Sequence, residues 1–310
     1  MFLDKYTKLI FIGDSNADNG NVLRMTQGTH PEPSDVYVNG RYSNGKMWVD
    51  HLEELSGCCR PINLAYGCAT IDNDIVSGTV PMPPGSSRHG RSEVPDVIDQ
   101  VAQLKDMVGH LTPTDLVFVQ VGSNDLNSLV ADEPTYVVKR AFTPALLAQR
   151  LRFAVNTLCT EAGARNVVVL NVRSREDYPC IIALDDPQKV ELVRRSTCEL
   201  NDAITREMAG LQTTLGAEFS ITVFDTYGFQ KRIIADPAIF GIDLDVRMPC
   251  FDKNRVLQTT APASSGADGC GVRMLNPHSQ LFLDGAHLAK RAQALLAAEV
   301  IKALSLQAME

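Results

Sequence analysis

The chain lacks an apolar run of the roughly 20 residues that a membrane span needs. Its opening, MFLDKYTKLIFIGDS, is interrupted by Asp4, Lys5 and Lys8. That excludes a spanning helix and the apolar core of a signal peptide, so a cytoplasmic protein is expected, with a secreted mature form as the alternative. Basic charge is also in short supply. Lys and Arg number 29 against 37 Asp and Glu, a net charge of -8, which is the wrong sign for a nucleic-acid binder.

The eight cysteines, among them the adjacent Cys58 and Cys59, show no paired Cys-x-x-Cys spacing. Neither a metal site nor a cofactor is expected, and free buried thiols are favoured over disulfides in a chain this long. No Asn-x-Ser/Thr acceptor supports a secretory history. Aromatics are sparse at 6%, and the single tryptophan, Trp48, is assigned to the core.

What is present is the composition of a globular protein, 45% hydrophobic and 21% charged over 310 residues. One domain over residues 1–310 is expected, without internal repeats. KLIFIGD (8–14), DLVFVQVGSND (115–125), NVVVLNV (166–172) and SITVFDT (220–226) are short, β-branched apolar runs of the kind buried on both faces of a parallel sheet. Helical periodicity fills residues 94–111, 143–163 and 186–211, and a last helix is expected over AHLAKRAQALLAAEVIKALSL. The alternation predicts a doubly wound α/β fold with its site beyond the carboxyl ends of the strands. Two stretches rich in Pro, Gly and Ser, 77–92 and 247–279, read as irregular loops.

Three small constellations fall where such a site would lie. FIGDSNADNGN places Ser15 directly after the first predicted strand; alone, Gly-Asp-Ser there is an ordinary turn with a helix cap. VGSND ends another strand, with Asn124 as either a cap or an amide donor into the crevice. FLDGAHLAK sets Asp284 three residues before His287 at the expected start of the last helix, so one turn can bring carboxylate and imidazole together. The Gly-x-Ser-x-Gly elbow of α/β-hydrolases does not surround Ser15. TIDNDI (70–75) reads as a solvated loop in place of a calcium site, and His30, His51, His89, His110 and His278 have no acid at useful spacing.

Taken together, the blocks resemble the GDSL family of esterases and lipases, also called SGNH hydrolases, in its plant and fungal branch. GDSNADNGN is similar to the branch's opening, with Asn16 where the family has Leu; GRYSNGKMWVDHL (40–52), NLAYGCAT (63–70), VGSND and DGAH resemble its later blocks in order. The resemblance covers nearly the whole chain. It implies a flavodoxin-like, three-layer α/β/α fold without a cofactor, acting on a small-molecule ester.

It further implies Ser15 as nucleophile, His287 as general base and Asp284 as the group that orients the imidazole. The oxyanion donors would be the N–H of Ser15, the Asn124 amide and an N–H from either Gly67 or Cys68. Asp14 and Asp18 would brace the nucleophile turn by accepting backbone hydrogen bonds, and Asp125 would support Asn124. Cys68 stands where the family has its second glycine, and a Cβ there narrows the pocket and favours small acyl groups. An esterase is the leading expectation. An acyltransferase with the same acyl-serine and a catalytically silent binding module are the alternatives.

Overall fold

In a computed structural model describing residues 2–32, 36–57, 61–86, 90–130, 134–243, 246–250 and 279–307, the apolar runs become strands. In chain order these are β1 (Lys8–Gly13), β2 (Ile62–Asn63), β3 (Val76–Pro81), β4 (Arg91–Glu93), β5 (Asp115–Gln120), β6 (Tyr136–Val138), β7 (Asn166–Leu170) and β8 (Ser220–Phe224). The helices are α1 (Asn21–Met25), α2 (Trp48–Ser56), α3 (Val97–Val108), α4 (Ser123–Asn127), α5 (Pro144–Thr160), α6 (Pro179–Ile182), α7 (Pro187–Leu215), α8 (Thr226–Ala235) and α9 (Lys290–Gln307).

The main sheet runs β2-β1-β5-β7-β8, every pair parallel. Successive side chains alternate between its faces. Leu9, Phe11, Leu116, Phe118, Val168 and Leu170 meet α2, α8 and α9 on one side, where Phe11 stacks on Phe118 with ring centroids 5.4 Å apart and Trp48 closes edge-on. Ile10, Ile12, Val117, Val119, Val167 and Val169 meet α3, α5 and α7 on the other. Both faces are therefore covered, which is why the strands read as unbroken apolar runs in the sequence. Trp48 is core, as expected.

Renumbered along the chain, the strand order is 2-1-3-4-5, and its switch point lies between β1 and β5. The turns that leave those two strands carry Ser15 and Asn124. Gly13 lets the strand ends approach closely: a Cβ there would sit 2.1 Å from the Gln120 carbonyl oxygen.

Two expectations need correction. Residues 77–92 are not irregular throughout, because β3 pairs antiparallel with both β4 and β6 in a second small sheet. Its short strands carry too few alternating positions to be distinguished from the Pro and Gly around them. The last helix begins at Lys290, so Asp284 and His287 lie on the loop before it. Residues 251–278 of the second loop, with Cys58, Cys59, Cys270, His89 and His278, fall outside the described residues.

Candidate active site

The nucleophile turn is built from local acceptors. Asp14 Oδ1 takes the backbone and side-chain N–H of Asn16 at 2.9 and 2.7 Å. Asp18 Oδ1 takes the N–H of Gly20 and Asn21, while its Oδ2 takes those of Val22 and Gly67. Burial pushes both carboxyls upward, and these donors oppose it. Ser15 between them is only 7% exposed, and its N–H has no acceptor among the described residues.

From the far end of the chain, the loop before α9 brings the second half of the site. Asp284 Oδ1 accepts the N–H groups of Ala286 and His287, each at 2.8 Å. Its Oδ2 lies 2.8 Å from His287 Nδ1 and accepts the Tyr37 hydroxyl at 2.8 Å. Burial alone would raise this carboxyl, but the adjacent His287 and the two backbone donors outweigh it and hold it well below the usual range. His287 Nε2 stands 2.9 Å from Ser15 Oγ. The sequence brings these atoms together across 272 positions, and the result is a continuous hydroxyl–imidazole–carboxylate relay that can accept a proton from Ser15.

The third wall comes from the loop after β2 and from α4. Gly67 N–H is spent on Asp18, whereas Cys68 N–H meets no acceptor among the described residues. Cys68 has φ 68°, the left-handed conformation that favours glycine. Gly67 must be small for another reason, because a Cβ there would lie 2.2 Å from the Tyr42 hydroxyl. Tyr42 also tilts against the His287 ring, with centroids 5.1 Å apart. The Asn124 amide is fixed at both ends: its Nδ2 donates to Ala69 O at 2.8 Å, and its Oδ1 accepts the Tyr136 hydroxyl at 2.7 Å and Asn127 Nδ2 at 3.5 Å. That leaves a second N–H on Nδ2.

Ser15, Cys68, Asn124, Tyr136, Arg173 and His287 are among the residues lining one cavity of about 120 Å³. Larger surface hollows lie elsewhere, among them one beside Tyr66 and Asp99 and one beside His51 and Lys290, and neither brings a serine to a histidine. Burial pushes the Cys68 thiol up to about 12, so it sits in the cavity as a neutral group.

The remaining sequence candidates scatter. Asp125 is fully buried and accepts Ile71 N–H, which ties α4 to the loop carrying Cys68. Asp72 of TIDNDI pairs with Arg150, and no cluster suited to a metal occurs among the described residues. Cys68, Cys159, Cys180, Cys198 and Cys250 are free thiols, with Cys180 exposed against expectation. Asn16, beside the nucleophile, is buried and borders the same cavity, its amide bonded to Asp14 and Arg173. Sequence reasoning missed Tyr37, Tyr136 and Arg173 altogether. Tyr42 sits in a quoted block but carried no signal of its contact with Gly67.

Known proteins resemble the chain along most of its length. The model of the GDSL-like lipase/acylhydrolase family matches residues 9–300. Thermolabile hemolysin of Vibrio parahaemolyticus is 24% identical over 254 residues, 81% of this chain and 53% of the hemolysin. Phosphatidylcholine-sterol acyltransferase of Aeromonas hydrophila is 21% identical over 294 residues, covering 93% of this chain and 78% of the relative. A solved member of the lipolytic protein G-D-S-L family from Veillonella parvula is 14% identical, with a TM-score of 0.40 over 74% of this chain and 82% of that one. The matched stretch thus spans about half the length of the hemolysin. No helix among the described residues is long and apolar enough to cross a membrane.

Proposed function

This chain belongs to the GDSL-like lipase/acylhydrolase family, a family of ester hydrolases, and on that premise we propose that it cleaves small carboxylic esters through an acyl-enzyme on Ser15. His287 Nε2 takes the proton of Ser15 Oγ as the oxygen attacks the ester carbonyl, and Asp284 holds the imidazole with Nδ1 protonated. The resulting oxyanion is met by the N–H of Ser15, the N–H of Cys68 and the free N–H of Asn124 Nδ2. His287 then protonates the leaving alcohol. Water, deprotonated by the same imidazole, releases the acid and restores Ser15.

Cys68 is the assigned donor because Asp18 already occupies the Gly67 N–H. The acyl group is a small one: the cavity beside Ser15 measures about 120 Å³ and carries the Cys68 side chain on its wall. The observation that carries the reading is the relay itself, 2.9 Å from Ser15 to His287 and 2.8 Å from His287 to Asp284. A silent binding module has no need of that alignment. Transfer to an alcohol in place of water is the second reading, favoured by the acyltransferase relative. Product analysis with p-nitrophenyl acetate in water and in mixed alcohols separates the two, and inactive Ser15→Ala tests both.

A further inference from the structure

On the triad reading above, the two halves of the relay must be held at working distance. Ser15 leaves β1 and His287 precedes α9, so their separation depends on how two distant loops are fastened to each other. Arg173, just beyond β7, reaches both. Its Nη2 donates to Asn16 Oδ1 at 2.8 Å and to Ala286 O at 2.9 Å. One nitrogen therefore joins the residue after the nucleophile to the residue before the base.

Everything around this nitrogen is anchored. Nη1 donates to Gln230 Oε1 at 3.1 Å, and Gln230 is itself fixed by donating to the carbonyl and hydroxyl of Ser174. The guanidinium lies over the Tyr178 ring, 4.8 Å from its centroid. Asn16 is held by Asp14 on its amide nitrogen and by the Trp48 indole N–H on its carbonyl. Arg173 is 3% exposed, and its three hydrogen-bond acceptors among the described residues are neutral. Its charge also acts on the buried Asp14 carboxyl, which is joined to it through Asn16, so the guanidinium and the nucleophile turn form one bonded chain. A leucine at position 16 would offer Nη2 no acceptor, so the tie depends on the Asn16 side chain itself.

We propose that Arg173 and Asn16 form a positioning clamp that sets the Ser15–His287 distance for proton transfer. Arg173 is a positioning residue: it acts on the nucleophile through Asn16 and on the base through Ala286. Because a displacement of about 1 Å between reacting groups can cost on the order of 100-fold in rate, loss of the clamp should appear in kcat and leave KM nearly unchanged.

The test is a double-mutant cycle with Arg173→Met, Asn16→Leu and the combined variant. It is read in kcat and KM for p-nitrophenyl acetate, in the rate of fluorophosphonate labelling of Ser15, and in thermal midpoint. Each single variant should lower kcat and labelling rate by about 10- to 100-fold. The double variant should be no slower than the worse single, since both remove the same link. The His287 Nδ1–H proton resonance, expected downfield in the wild type from its short contact with Asp284, should broaden or shift in each variant.

Multiplying losses, a loss confined to KM, or a fallen thermal midpoint with unchanged kcat would each overturn the clamp. If Arg173→Met does not fold, Asn16→Leu alone decides, because it leaves the Gln230 and Ala286 bonds in place; unchanged labelling in that variant overturns the proposal. Failure of wild-type Ser15 to label at all would strike the triad reading instead, which keeps the two failures distinct.

Discussion

The turn after β1 and the segment after β7 border the same cavity but are wired in opposite ways. In the first, Asp14 and Asp18 satisfy N–H groups two to four residues away, with one reach to Gly67. In the second, Arg173 bonds to Asn16, Gln230 and Ala286, which lie 157, 57 and 113 positions distant. The first kind of construction leaves a contiguous string in the sequence. The second leaves only an arginine.

The sharpest way to break the comparison is to remove the group that the β1 turn exists to present. Ser15→Ala should abolish ester hydrolysis, with a fall in kcat of several orders of magnitude and an unchanged fold by circular dichroism. Retention of most activity in a clean preparation would make the turn structural. Next in size is Asn124→Ala, which removes one oxyanion donor and should lower kcat by about 100- to 1000-fold with a smaller change in KM. An unchanged kcat would reduce Asn124 to a brace for Ala69 and Tyr136.

Cys68 sharpens the contrast on a finer scale, since a non-glycine residue there accepts a left-handed conformation and puts its Cβ on the cavity wall. Cys68→Gly should raise kcat/KM for butyryl and longer p-nitrophenyl esters relative to acetate by roughly 10-fold. It should also stabilise the fold, by about 1 kcal/mol, through relief of the backbone. An unaltered chain-length profile would place the acyl pocket elsewhere.

The smallest expected effect concerns Asp125, whose carboxyl is pushed up to about 7 by burial and by the nearby Asp14 and Asp96. A buried acid with a raised pKa favours the protonated form. Its contribution is full below the unfolded value of about 4 and is lost as pH rises through its folded value. Glu53, pushed up to about 7, and Asp96, pushed up to about 6, both mainly by burial, act in the same direction. Asp284 runs the other way, and its stabilisation is lost only as pH falls below the ordinary carboxylate range. The thermal midpoint should therefore decline between about pH 4 and pH 7, and Asp125→Asn should shrink that decline. An identical slope in the variant would contradict the assignment.

The same contrast decides what the sequence could reveal. The strands at 8–13, 115–120, 166–170 and 220–224 were legible because burial on both faces leaves continuous apolar runs. Ser15, Asn124, Asp284 and His287, which the fold brings together at one cavity, stood out as candidates because each sits in a short block at a strand or loop end. The choice between Gly67 and Cys68 was not, because it turns on where Asp18 points its second oxygen. Tyr37, Tyr136 and Arg173 carry no local pattern at all, since each meets the site through one atom of a long side chain. The inward turn of Asn16 was equally hidden: its partner Arg173 is 157 residues away.

If Ser15 carries the acyl group, rapid quench of the enzyme with p-nitrophenyl acetate followed by peptide mass spectrometry will find it there. An acetyl adduct on Ser15 should form in the burst, decay with turnover and be absent from Ser15→Ala. Turnover without an adduct on Ser15, or an adduct that persists in Ser15→Ala, would contradict that role.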